Sequence, residues 1–232
     1  MPKSVLLFGS IGTLVETSDL QRRAYNQAMR EAGLSWHWDE AIYRELLTQS
    51  GGLDRLSMLA RATGRDLDAA TLTRIHARKT ELACAEVATR KPAPRPGVAA
   101  SMALAGERGW RRGFVTSTER ANIDAILALG GAIAADQFDV VIGRRDVVHG
   151  KPHPEAFHTA LERLGADAGL AVAIEDTATS VMAAVRAGIV TVAVPGANAQ
   201  DQDFWQADLV LPELVDASGQ LDPRLLALLG AA

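Results

Sequence analysis

The stretch Leu6-Leu7-Phe8-Gly9-Ser10-Ile11-Gly12-Thr13-Leu14 decides the fold. An apolar run, Val5 to Phe8, has the length of one buried strand and enters a Gly-x-x-Gly-Thr turn. From residue 98 onward, similar short apolar runs alternate with amphipathic segments. Strands are predicted at 113–115, 140–142, 171–174, 190–194 and 209–211, and helices at 98–107, 119–129, 154–164, 178–187 and 223–229. Pro154 suits a first helical position, with Ala156, Phe157, Ala160, Leu161 and Leu164 following on one face. This alternation predicts an α/β fold with a Rossmann-like, doubly wound parallel sheet.

Between the first strand and the rest, residues 17–90 read as all-helical. Ser18 opens a helix, with Gln21 completing a capping box. Leu20, Ala24, Tyr25, Ala28, Met29 and Ala32 form one face, and Gly33 closes it. Further helices are predicted at 39–49, 54–63 and 69–88. Three prolines at 92, 94 and 96 break the helical pattern and mark the return to the sheet. The expected organisation is a core of residues 1–16 plus 96–232 and an inserted all-helical cap over 17–95.

Composition bounds the function. The 232 residues are 48% hydrophobic and 22% charged, with net charge −4. No basic field favours nucleic acid or an anionic membrane. No apolar run approaches the roughly 20 residues of a membrane span. The N-terminal stretch lacks a signal-peptide pattern. Cys84 is the only cysteine, so no intrachain disulfide forms and a thiolate zinc site is disfavoured. A cytoplasmic protein is expected.

In parallel sheets of this kind ligands bind beyond the carboxyl ends of the strands. Four clusters are expected there: the Gly9–Thr13 turn, Thr116-Ser117-Thr118, Lys151 in Gly-Lys-Pro-His-Pro, and Glu175-Asp176. Hydroxyls, a fixed cation and paired carboxylates are the parts of a phosphate and magnesium site. In this order they resemble the four motifs of the haloacid dehalogenase (HAD) superfamily, whose first motif is Asp-x-Asp-Gly-Thr-Leu. The resemblance covers nearly the whole chain, including a helical cap after the first motif.

It implies phosphate binding at Gly12, Thr13, Thr116, Ser117 and Lys151, and magnesium binding at Glu175 and Asp176. The family's nucleophile and acid/base aspartates fall on Gly9 and Ile11, which can neither attack, carry a proton nor bind metal. The family has glycine where this chain has Ser180.

A closer resemblance is to bacterial xylulose-1,5-bisphosphate phosphatases. It is carried by Glu16-Thr17, Trp36-His37-Trp38-Asp39, Tyr43-Arg44-Glu45-Leu46-Leu47 and Gly51-Gly52 through Arg55. It implies that the cap residues Glu16 and Arg55 grip substrate. An expected cap lysine is Leu53 and an expected histidine is Gln21.

Several residues carry competing readings. Glu175-Asp176 either hold metal or cap the next helix. Thr116 either meets a ligand or satisfies backbone. The glycine turn could cradle phosphate through its N–H groups, but it lacks the third glycine of a dinucleotide fingerprint. Ser10, the nearest replacement nucleophile, is expected to point away from the site. Trp36 and Trp38 read as cap packing, and Arg144-Arg145 as a solvated pair. His149 and His153 flank Lys151 without metal-ligand spacing to other histidines.

Loss of a hydrolase nucleophile costs on the order of a million-fold in rate. Removing a carboxylate also removes a repulsion of roughly 4 kcal/mol from a phosphate charge about 4 Å away at an effective dielectric of about 20. The leading expectation is therefore a catalytically silent relative that binds a phosphorylated metabolite, with magnesium weak or absent. The alternatives are a hydrolase or lyase using water held by Glu175-Asp176, and a structural or interaction protein with a vestigial pocket and a protein partner.

Overall fold

Alternation along the first strand, β1 (Val5–Phe8), sets the layers. Leu6 and Phe8 face one core, Val5 and Leu7 the other. The computed structural model describes residues 3–64 and 67–230. Residues 1–2, 65–66 and 231–232 of the expected core and cap ranges lie outside the described residues.

Five more strands follow: β2 (Arg111–Val115), β3 (Val140–Ile142), β4 (Ala171–Glu175), β5 (Val190–Ala193) and β6 (Leu209–Val210). All pair in parallel, in the order β3-β2-β1-β4-β5-β6. β1 is central, with Phe8 in register with Phe114 and Ile174. The strand order reverses at β1, so a crevice opens beyond its carboxyl end.

Helices cover both faces. One core gathers Leu6, Phe8 and Ile174 against α5 (Val98–Glu107), α6 (Arg120–Leu127) and α9 (Pro223–Leu229). The other packs Leu7 and Ala173 against Phe157 of α7 (Glu155–Leu164) and Ala183 of α8 (Ala178–Arg186). This is the doubly wound architecture that the alternation predicts. Among the described residues no helix is long and apolar enough to cross a membrane.

The intervening helices are α1 (Ser18–Glu31), α2 (Glu40–Leu46), α3 (Gly52–Ala62) and α4 (Ala69–Arg90). They enclose a core of their own, built on Tyr25, Met29, Trp38, Tyr43, Leu56 and Ile75. Trp38 lies tilted against Tyr25 at 4.4 Å and stacks near Tyr43 at 6.1 Å, so it packs as expected; Trp36 sits partly buried at the same core.

The capping box at α1 does not form. Thr17 is the N-cap, and Ser18 is already helical. The Glu16 carboxylate does the capping, accepting Ser18 N–H at 2.9 Å and Ser18 Oγ–H at 2.5 Å. Gln21 reaches Asn122 instead. An acid two residues before Ser18 supplies a stronger acceptor than a neutral amide one turn later.

The proline-rich return is a knot as well as a break. Lys91 ends α4 in the left-handed region, and Pro94 bridges to Val15. Buried Arg95 donates to the carbonyls of Gly12, Val194 and Pro212 and pairs with Glu213 at 3.1 Å. The β1 turn and the loops after β5 and β6 are thus tied to one guanidinium.

Candidate functional site

The strand ends and the helical lobe enclose a cavity of about 490 Å³. Its floor holds Ser10, Thr116, Ser117, Lys151, Glu175 and Asp176. Its roof holds Gln21, Tyr43, Arg55, His76 and Lys79. Polar contacts link the two sides: Ser50 Oγ to Ser117 Oγ at 3.0 Å, Thr179 Oγ1 to Thr48 O at 2.7 Å, and Arg44 to Asp201 at 3.2 Å.

The floor is organised around one buried ion pair. Lys151 Nζ donates to Glu175 Oε1 at 2.5 Å and to Val115 O at 3.1 Å. Both side chains are almost fully buried. Burial pushes the Glu175 carboxyl above the usual range, and Lys151 pulls it back.

A Cβ on Gly9 would run into Glu175 Oε2 and come within 2.6 Å of Thr13 Oγ1. Glu175 thus fills the space that a side chain at position 9 would need. Gly12, at φ 83°, carries the turn in the left-handed region, with the Asp176 carboxylate where a Cβ would stand.

Asp176 is half-buried and accepts from Thr13 Oγ1 at 3.1 Å. Burial, then the charges of Glu175 and Glu16, push its carboxyl up to about 7. Thr177 caps α8 through Ser180 N–H, so the capping role belongs to the residue after the acid pair.

The expected residues divide as follows. Thr116, Ser117, Lys151, Glu175, Asp176 and Arg55 line the cavity. Gly12, Thr13 and Glu16 do not; Thr13 acts through Asp176, and both Glu16 oxygens are engaged, by Ser18 and by Ala197 N–H at 2.7 Å. Arg144 and Arg145 reach the cavity rim.

Ser10 corrects the expectation that it points away. Its hydroxyl meets Thr116 Oγ1 at 2.7 Å in a buried contact, because the chain leaves the strand pleat at Gly9 and alternation no longer applies. No carboxylate or imidazole is hydrogen-bonded to either hydroxyl among the described residues, so Ser10 has no activating base.

Of the roof, the sequence marked Arg55 and missed Lys79 and His76. Lys79 is buried, its ammonium 4.7 Å from the Tyr25 ring centroid. Burial and then the Arg55 charge bring it down to about 7. His76 is lowered to about 4 by burial, Lys79 and Arg55. The Tyr25 hydroxyl is buried with no hydrogen-bond partner among the described residues. A signal existed: Ile75, Lys79, Ala83 and Val87 recur every four residues, which puts a lysine on the buried face of α4.

The residues 5–188 match the model of haloacid dehalogenase-like hydrolases. The chain belongs to this family. Within it, CbbY of Cereibacter sphaeroides is 35% identical, over 92% of this chain and 94% of that protein. The crystal structure of an Asp-to-Asn variant of CbbY from Rhodobacter sphaeroides, in complex with xylulose-(1,5)bisphosphate, superposes with a TM-score of 0.86 at 34% identity, covering 96% of this chain and all of that one. CbbY from the same organism in complex with phosphate gives the same TM-score and identity, over 94% and 99% of the two chains. This HAD protein is therefore CbbY-like in sequence and fold.

Proposed function

We propose that the chain is a phosphometabolite-binding pseudophosphatase. The observation that carries this reading is the pairing of a retained cavity with a missing reaction centre. Gly9 and Ile11 occupy the positions that the family resemblance assigns to the nucleophile and the acid/base. Thr116, Ser117 and Lys151 meet the same cavity as Arg55 and Lys79. Hydroxyls at the floor suit one phosphate, and Arg55 and Lys79 at the roof, which form no salt bridge among the described residues, suit a second anion. A sugar bisphosphate is the ligand class that fits both ends, and a CbbY relative holds one.

The residues fit a weakly held magnesium ion. Asp176 would hold it, with Glu175 beside it already committed to Lys151. When bound, the ion would neutralise phosphate charge. The proposed organisation keeps the boundaries 1–16 plus 96–232 for the core and 17–95 for the cap, in a cytoplasmic protein.

The position of Asp176 favours a second reading, an active hydrolase. A carboxyl held up to about 7 at a cavity wall is suited to moving a proton to or from water.

The test is thermal stability against sugar mono- and bisphosphates, with and without magnesium, alongside phosphate release. A selective rise in melting temperature without turnover is expected. Turnover that disappears in Asp176→Asn would establish the second reading instead. No shift with any phosphate would leave the cavity without this role.

A further inference from the structure

The loop that carries Lys151 presents a second cluster on its outer side. His149, His153 and Glu155 place three ligand atoms within 4.8 Å of one another. His149 Nδ1 lies 2.8 Å from Glu155 Oε2, and His153 Nδ1 lies 3.8 Å from the same oxygen. The two rings are tilted, with centroids 4.6 Å apart. The separation of one histidine from another by four residues, with an acid two further on, gave no metal signal by itself. The loop folds back before α7, and that brings the three together.

The carboxylate is set in place before any ion arrives. Val148 N–H and His149 N–H donate to its two oxygens at 2.7 and 2.9 Å. These donors hold the Glu155 carboxyl down at about 2, so no proton competes for it near neutral pH. Both histidine rings are mostly exposed; His149 Nδ1 is hydrogen-bonded to the Glu155 carboxylate and His153 Nδ1 accepts from Glu155 N–H at 3.3 Å, and an ion would replace these two contacts.

We propose that His149, His153 and Glu155 form a surface site for a divalent transition-metal ion of the zinc class, which braces the loop carrying Lys151. Two imidazoles and one carboxylate are the donor set such ions take, and water completes the shell. Zinc–ligand distances of about 2.0–2.2 Å put tetrahedral donors roughly 3.3 Å apart. The two contacts to Glu155 bracket that spacing, so a modest ring rotation closes the site. Magnesium, which prefers an all-oxygen shell, does not suit it.

The experiment is calorimetric titration of the full chain with zinc chloride. One saturable ion is expected, not displaced by excess magnesium. The double variant His149→Ala/His153→Ala and the variant Glu155→Gln should each bind at least about tenfold more weakly. In chelator the histidine double variant should match the parent in melting temperature, since the rings are exposed, whereas Glu155→Gln should melt lower because an amide keeps only one of the two backbone acceptors. Asp176→Asn should leave zinc binding intact, and amide exchange across residues 147–155 should slow on zinc addition in the parent only. Absence of saturable binding, binding unchanged in the histidine double variant, loss in Asp176→Asn, or unchanged exchange in the parent would overturn the proposal.

Discussion

At the residue scale, Gly9 and Glu175 exclude one another's changes. The Glu175 carboxylate occupies the volume that a β-carbon at position 9 would enter. Gly9→Asp should therefore destabilise the fold by about 1–3 kcal/mol through overpacking, before like-charge repulsion is added. Urea midpoints measure this, and magnesium should recover part of the loss. Lys151 and Glu175 are coupled in the same way. Lys151→Ala leaves a buried carboxylate uncompensated and should cost about 3–5 kcal/mol, much of it returned when Glu175→Gln is added. A double-mutant cycle in urea reads the coupling. Ligand-binding experiments on Lys151→Ala alone would mix folding with affinity.

At the scale of elements, the cavity joins an acid-rich strand end to a cation-rich helix. Asp176 follows β4, and its carboxyl is raised to about 7. The folded state therefore binds more protons than the unfolded one between about pH 4 and 7, and stability should fall as pH rises across that window. The full shift corresponds to up to about 4 kcal/mol, less where water reaches the half-buried group. Lys79, on α4, is lowered to about 7, so the unfolded state binds more protons from about 7 to 10.5. Stability should rise with pH there. Melting temperature against pH should thus pass through a minimum near neutrality. Asp176→Asn should flatten the acid limb and Lys79→Met the alkaline limb. An anionic ligand should bind best where Lys79 is protonated.

At the scale of the whole molecule, Arg95 decides how the turn and the sheet edge meet. Its guanidinium serves carbonyls of the β1 turn and of the segments after β5 and β6, and Glu213 balances its charge. Arg95→Ala should strand several buried carbonyls and cost about 3 kcal/mol or more, with reduced phosphate protection because the β1 turn, whose Ser10 and Ile11 line the cavity, loses its anchor. Denaturant unfolding with and without ligand checks both parts. Nothing in the proline-rich sequence marked Arg95; its partners are 83 to 118 residues away and become neighbours only through the parallel crossovers.

The sequence by itself determined the doubly wound sheet, the position of the helical insertion and most of the cavity floor. Hydrophobic periodicity is local, and binding residues in such sheets follow the strands directly. The period-2 rule failed at Ser10 because it holds only inside a strand, and the turn begins at Gly9. Tertiary structure alone decided that Glu16 caps a helix, that Lys79 lines the cavity roof beside Arg55, and that His149, His153 and Glu155 converge. Each of these depends on which distant group arrives to accept a hydrogen bond, leave a charge unpaired or close a donor set. Local pattern fixes which face of an element is buried; only the packed chain fixes what that face meets.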